Sequence, residues 1–257
     1  MTPANTTTTN RYGAIASEIY DLDKQPGKLR DTAFYLQRLA DIDGEILEPA
    51  CGSGRMMIPL LEAGHTVTGF DLSADMLARC AASCAARGFS PELSQAGFDS
   101  FEYGRRFAAA ILPAGSFTLV GNADEARGVL DRIRRHLAPG GLFLLDMMPL
   151  SYLANRADDR RRWTAGNGDL LTLEGIVTRV DWTAQTIERT YRYERWRDNR
   201  LLATELDPMI QRLWGLHELT LALEAVGFTV DAVHADYRPG APPGPESRML
   251  TFEARAA

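Results

Sequence analysis

Apolar positions along the chain follow two different rhythms. From Ala14 to Asp146, short apolar runs alternate with stretches of helical spacing; from Leu171 to Leu213, two-residue alternation takes over. The spacing predicts a helical segment over Ala14 to Leu39, broken near Gln25-Pro26-Gly27, with Asp31 placed to start its second half. A first strand follows at Glu45 to Pro49, a helix at Arg55 to Ala63 ended by Gly64, and a second strand at His65 to Asp71. Ser73 is suited to cap an Ala-rich helix over Ala74 to Arg87. A weak third strand within Pro91 to Gly97, an apolar strand at Phe107 to Leu112 and a helix at Ala123 to Leu137 come next. Pro139-Gly140-Gly141 then turns the chain into a fifth strand, Leu142 to Asp146. This alternation of strands with helices implies a parallel sheet covered on both faces.

The second rhythm predicts three strands, Leu171 to Trp182, Thr186 to Trp196 and Leu201 to Leu213. Leu171, Leu173 and Val177 share one parity, and Tyr191 and Tyr193 share one face. Turns fall near Thr183-Ala184-Gln185 and, more clearly, at Asp198-Asn199. The links are too short for βαβ crossovers, so these strands pair antiparallel. Helical spacing resumes over Leu216 to Ala225, ended by Gly227, and two last strands read as Phe228 to Tyr237 and Arg248 to Ala254.

Candidate chemistry concentrates at the first turn of the parallel region. Ile46-Leu47-Glu48-Pro49-Ala50-Cys51-Gly52-Ser53-Gly54-Arg55 is a strand running into a glycine turn that opens a helix, and Val67-Thr68-Gly69-Phe70-Asp71 ends a second strand in an acid. Such a unit cradles a nucleotide: glycines admit close backbone approach, and the helix start offers free N–H donors. Asp71 is placed to accept both hydroxyls of a ribose. A dinucleotide fingerprint needs a third glycine, where this chain has Met57. Glu48 at the strand end disfavours a pyrophosphate and suits a cationic amino-acid ligand.

Composition narrows the class. The 257 residues are 45% hydrophobic and 24% charged, as in an ordinary globule, and the net charge of −6 disfavours broad nucleic-acid binding. No apolar run reaches transmembrane length and the start does not resemble a signal peptide, so a cytoplasmic protein without membrane contact is expected. The Thr-rich head, residues 1–10, is expected to be disordered. Three cysteines make no disulfide framework, and no Cys/His cluster has zinc spacing, so no metal is expected.

The segment Glu48 to Arg55, with Asp71, resembles motif I and the following acidic motif of class I S-adenosylmethionine-dependent methyltransferases. Leu137-Ala138-Pro139-Gly140-Gly141 resembles the family's L-x-P-G-G turn. Glu218-Leu219 through Gly227-Phe228 resembles its E-L-x-x-x-L-x-x-A-G-F helix ending, departing at Val226. The resemblance covers nearly the whole chain. It implies a Rossmann-like α/β fold: a mostly parallel seven-stranded sheet flanked by helices, with an antiparallel lid inserted after the fifth strand. The segments would be cap helices and core at 11–160, lid at 161–214 and the end of the core at 215–257. It further implies S-adenosylmethionine as cofactor, S-adenosylhomocysteine as product, and a small-molecule acceptor between sheet and lid.

Carried onto this chain, the resemblance assigns Glu48 to the methionine ammonium, Ala50, Gly52 and Gly54 to close approach of the cofactor, and Asp71 to the ribose; Glu48 could instead favour the helix dipole, and Asp71 cap the helix at Ser73. Leu72, Met76, Phe98 and Asp99 fall to the adenine; Met76 equally suits a core position and Asp99 a solvated loop. Leu112 would lie against the methionine end, and Arg30 could pair with the methionine carboxylate, an ordinary surface or packing role being equally open to it. Tyr20 is a candidate for contact with the transferred methyl or the substrate, and His217 for a residue facing the site, although a structural histidine fits the same position. Trp182, Tyr191, Tyr193, Arg212 and Trp214 are candidate acceptor walls, alternatively lid core or a homodimer face. No obligatory base stands out among the four histidines and the acids, which favours a nitrogen acceptor, or a simply positioned oxygen, over metal-assisted O-methylation. No Asn-Pro-Pro-Tyr-type tetrad is present, against base methylation. Two other readings stay open: another use of the sulfonium, such as intramolecular displacement, and a non-catalytic binder, supported by the bland loop Leu112-Pro113-Ala114-Gly115.

Overall fold

A computed structural model describes residues 12–155 and 157–257. The head at residues 1–10 lies outside the described residues. Seven strands form one sheet: β1 (Ile46–Pro49), β2 (Val67–Asp71), β3 (Leu93–Gln95), β4 (Phe107–Leu112), β5 (Leu137–Met147), β10 (Phe228–Ala235) and β11 (Leu250–Ala256). Their order is β10-β11-β5-β4-β1-β2-β3. Pairs from β5 through β3 are parallel, and β11 runs antiparallel to both β5 and β10. The order reverses between β1 and β4, which opens a crevice at the carboxyl ends of those strands.

Helices α1 (Ala14–Asp23), α2 (Arg30–Leu39), α3 (Met57–Glu62), α4 (Ala74–Ala85), α5 (Ala123–His136) and α6 (Leu216–Ala225) surround the sheet. On one face α5 buries Ala126, Val129, Leu130 and Ile133, the stripe that 3.6-residue periodicity produces. Asn122 caps it, its side-chain oxygen accepting from Glu125 N at 2.9 Å. On the other face Phe34, Tyr35 and Leu39 of α2 join Ile46, Met57, Leu60 and Cys80 in a second apolar layer. The Pro139-Gly140-Gly141 turn sits inside β5 as a bulge, between the pairs Phe107↔Leu137 and Ala109↔Leu142.

The lid has four strands, β6 (Asp159–Thr164), β7 (Leu170–Asp181), β8 (Thr186–Arg197) and β9 (Arg200–Arg212), in sequence order and all antiparallel. Three were expected. The added strand begins before the expected lid boundary and is rich in arginine, which hides its alternation. Arg160 lies opposite Glu174 and pairs with it at 3.1 Å. Charge on this edge also discourages further strand addition. The hairpin turn Asp198-Asn199 has both residues left-handed, at φ 48° and 60°, as a two-residue turn requires.

Helix α1 joins lid to core. Its Ile15, Ala16 and Ile19 pack on Leu171, Leu173 and Tyr193. Glu205 of β9 accepts hydrogen bonds from Ile15 N at 2.9 Å and Ala16 N at 3.1 Å. A lid carboxylate thus satisfies the free N–H groups of the first turn of α1.

Candidate active site

The glycine turn after β1 builds one wall of the crevice. Ala50, Gly52 and Gly54 all have positive φ, 53°, 56° and 86°. Gly52 N donates to Asp71 Oδ2 at 2.9 Å, and Ser73 N donates to Asp71 Oδ1 at 2.8 Å. One carboxylate therefore ties the β1 turn to the β2 end and keeps lone pairs toward the crevice. Burial pushes the Asp71 carboxyl up, against the pull of the Ser73, Gly52 and Leu72 N–H groups. Nothing lies within 4 Å of where a Gly52 Cβ would stand, so its bareness serves open space. Gly54 faces inward: a Cβ there would stand 2.8 Å from Cys80 Sγ, at a φ that L residues resist. Gly54→Ala is therefore expected to destabilise the fold by about 2–3 kcal/mol. Urea denaturation reads this directly; a change below about 0.5 kcal/mol would show that the turn tolerates a side chain there.

The resulting cleft encloses about 240 Å³. Ala50, Gly52 and Asp71 form one end, and Leu72, Met76 and Phe98 an apolar slot beside them. Phe98 is braced edge-on by Phe70, ring centroids 6.2 Å apart. Ala114, Gly115, Ser116 and Thr118 line the far side after β4. That loop is held by Asp146, which accepts from Ala114 N at 2.8 Å, Thr251 Oγ1 at 2.6 Å and Tyr237 Oη at 2.9 Å. Burial pushes the Asp146 carboxyl up to about 6, although these three donors pull it down. Over the opening lie Tyr12 and Tyr20, in edge contact at 5.8 Å, and Met209 and Gln211 of β9. Ser73 Oγ donates to the Tyr12 carbonyl at 2.8 Å, and Gln211 Nε2 donates to Thr118 Oγ1 at 3.1 Å.

Beneath the turn lies a charged floor. Arg55 pairs with Asp31 at 2.6 Å, both side chains about 5% exposed. Glu48 is buried, and its Oε2 has no hydrogen-bond partner. Burial first, then Cys80, Asp71 and Asp31, push its carboxyl well above the usual range, while Arg55 opposes them.

Several residues expected at the site stand elsewhere. Arg30 is exposed at the start of α2, because the buried face of that helix carries Phe34, Tyr35 and Leu39; the guanidinium near Tyr20 is that of Arg55. Asp99 is exposed, and Leu112 is wholly buried in the sheet core. His217 is exposed on the first turn of α6. Trp214 is core: it packs on Phe117 at 5.8 Å, and Arg212 covers its ring at 3.7 Å while pairing with Glu218. Trp182 is 57% exposed. Tyr191 and Tyr193, rings 6.2 Å apart, face α1 from the inner side of the lid. Met209, Gln211 and Thr118 were not singled out by sequence; only the lid's parity, with Met209 and Gln211 on one face, carried any signal.

Comparison with known proteins agrees with this geometry. Residues 46–141 match the family model described as a methyltransferase domain. The dTDP-3-amino-3,6-dideoxy-alpha-D-glucopyranose N,N-dimethyltransferase of Streptomyces fradiae is 31% identical over 143 residues, 52% of this chain and 54% of that one. The match thus spans about half the length of that relative. A crystal structure of an S-adenosylmethionine-dependent methyltransferase from Clostridium acetobutylicum superposes with a TM-score of 0.77 at 14% identity, covering 94% of this chain and 97% of the other. The sugar N-methyltransferase KedS8 from Streptoalloteichus gives 0.73 at 20% identity, covering 93% of both. These two likenesses show the fold. Residues 46–141 thus match a methyltransferase domain, and the fold over nearly the whole chain is that of solved S-adenosylmethionine-dependent methyltransferases. No helix among the described residues is long and apolar enough to cross a membrane.

Proposed function

We propose that this protein binds S-adenosylmethionine in the cleft and transfers its methyl group to a nitrogen of a small molecule, with an amino sugar as the substrate class. The observation that carries the reading is the Gly52–Asp71–Ser73 cradle at the strand-order reversal, open to the cleft. The residues fit the cofactor. Asp71 has lone pairs for two ribose hydroxyls, the Leu72–Met76–Phe98 slot suits a flat base, and the unpartnered Glu48 Oε2 suits an ammonium or its water. Arg55, rather than Arg30, is the guanidinium beneath the glycine turn, where Asp31 already holds it.

When bound, S-adenosylmethionine supplies an electrophilic methyl on a sulfonium. What the chain contributes is alignment and exclusion of water. Tyr12 and Tyr20 close the cleft from above, and the Asp146-anchored loop fixes its far wall. The amino-sugar class is supported by the name of the Streptomyces fradiae relative. A homodimer through the lid remains part of this proposal.

The test is a titration of the purified protein with S-adenosylmethionine and S-adenosylhomocysteine, followed by mass analysis after incubation with amino-sugar nucleotides. Micromolar binding and a product heavier by one or two methyl groups are expected. Release of methylthioadenosine without S-adenosylhomocysteine would replace methyl transfer with a different use of the sulfonium. Absence of binding by both ligands would remove the reading.

A further inference from the structure

The inner face of β9 carries one carboxylate that the cofactor reading leaves unused. Residues 205, 207, 209 and 211 point inward on this strand. Met209 and Gln211 line the cleft, and Glu205 is occupied by the start of α1. Asp207 lies between them, one strand repeat from Met209, about 7 Å along the strand. It is 8% exposed, its Oδ2 is fully enclosed without a hydrogen-bond partner, and no cation among the described residues pairs with it. A buried carboxylate in this state costs stability, and folds retain such groups where a ligand completes them.

Its surroundings are aromatic. Tyr191 of β8 is directly opposite in register, and Tyr193 is the next residue on that face. Tyr12, which lines the cleft, lies in the field of both Asp207 and Asp71. Tyrosines near an unpaired carboxylate favour an organic cation, since ring faces and carboxylate attract the same charge, and Tyr12 and Met209 connect this group to the cleft. The charged or titratable groups on the faces packed against Asp207 are Tyr12, Tyr191, Tyr193, Glu205 and Arg189; Arg189, opposite Met209 on β8, is turned to the Asn155 carbonyl and the Tyr152 ring.

Resting on the methyl-transfer reading, we propose that Asp207, with Tyr12, Tyr191 and Tyr193, binds the ammonium form of the acceptor and takes one proton from it. The proton passes from R–NH3+ to the carboxylate, freeing the nitrogen lone pair. That pair forms the N–C bond to the methyl carbon as the S–C bond breaks, its electrons staying on sulfur as a neutral thioether. The acceptor leaves as a protonated methylamine, and the Asp207 proton returns to solvent. The substrate class is thereby an amine rather than an alcohol.

Burial, then the neighbouring Glu205 charge, pushes the Asp207 carboxyl up to about 6. Its folded value is raised, so the folded state holds the extra proton and stability falls as pH rises through this range. The penalty is fully present above about 6 and mostly lost near 4, close to the ordinary value of 3.8.

The test titrates the S-adenosylhomocysteine-loaded protein with cyclohexylammonium chloride and, separately, with neutral cyclohexanol, read by saturation-transfer NMR. At pH 8 the cation is expected to bind at least about tenfold more tightly than the alcohol. The preference should disappear in Asp207→Asn, and in the native protein as pH falls below about 6. Asp207→Asn should bind S-adenosylhomocysteine within about twofold of the native protein and melt about 2–4 °C higher at pH 8, but not at pH 4. A merely structural Asp207 would lower the melting point instead. Equal affinity for cation and alcohol, or a preference that survives Asp207→Asn, overturns the proposal while leaving cofactor binding intact. Failure of the native protein to bind S-adenosylhomocysteine removes the methyl-transfer reading and this inference with it.

Discussion

Asp71→Ala is expected to weaken S-adenosylmethionine and S-adenosylhomocysteine at least about a hundredfold, below detection in an ordinary calorimetric titration. Two effects act together. The carboxylate offers two charge-assisted acceptor positions to a ribose, each worth about 1.5–3 kcal/mol. It also holds the Gly52 and Ser73 N–H groups, so truncation releases the turn that shapes the cleft. Asp71→Asn separates the two. Its amide keeps one acceptor for the backbone and loses the charge, so an intermediate loss of about tenfold is expected with the melting point little changed. Because burial raises the Asp71 carboxyl, ligand affinity should also decline as pH drops toward the acidic range. If Asp71→Ala bound either ligand within threefold of the native protein, the ribose assignment would be wrong.

Arg55→Leu is expected to have the largest effect on stability. Its partner Asp31 is nearly as buried as Arg55 itself, so removing the guanidinium strands a carboxylate beneath the glycine turn. Breaking a buried pair by removing one partner costs about 3–5 kcal/mol. For a chain of this size that lowers the melting point by roughly 6–20 °C. The double variant Asp31→Asn/Arg55→Leu should recover most of the loss, since no unpaired charge remains. Equal destabilisation in the single and double variants would mean that Arg55 acts through packing against Tyr20 and the turn, not through its charge.

The parallel half of the fold was legible because each of its elements advertises itself locally. Phe107–Leu112 is an uninterrupted apolar run, Ser73 and Gly64 mark helix ends, and the glycine turn with Asp71 places a cleft-lining group at each strand end. The lid was legible in its hairpins but not in its function. Asp159–Thr164 is a strand whose alternation is hidden by charge that pairs across to Glu174. Which lid side chains turn inward toward the cleft depends on how β9 runs past the loop after β4. That is a tertiary relation, absent from periodicity. Trp214 and Arg212 looked like acceptor walls because an aromatic next to a cation suits both a pocket and a core. Burial of Trp214 against Phe117 decides for the core. Arg30 looked like a carboxylate partner from its place before the first strand, but the direction in which α2 faces leaves it exposed.

The contact between Glu205 and the start of α1 links positions 190 residues apart. α1 is made early in synthesis, but its free N–H groups find their acceptor only when β9 has been made. Until then the nascent chain can assemble the parallel sheet through β5, whose contacts lie within the synthesised part, while the start of α1 lacks its acceptor and Tyr12 is tied to the core by Ser73. The roof over the cleft is therefore among the last parts to consolidate. A chain interrupted before Glu205 would carry a formed glycine turn and Asp71 yet lack the carboxylate that caps the helix behind Tyr12.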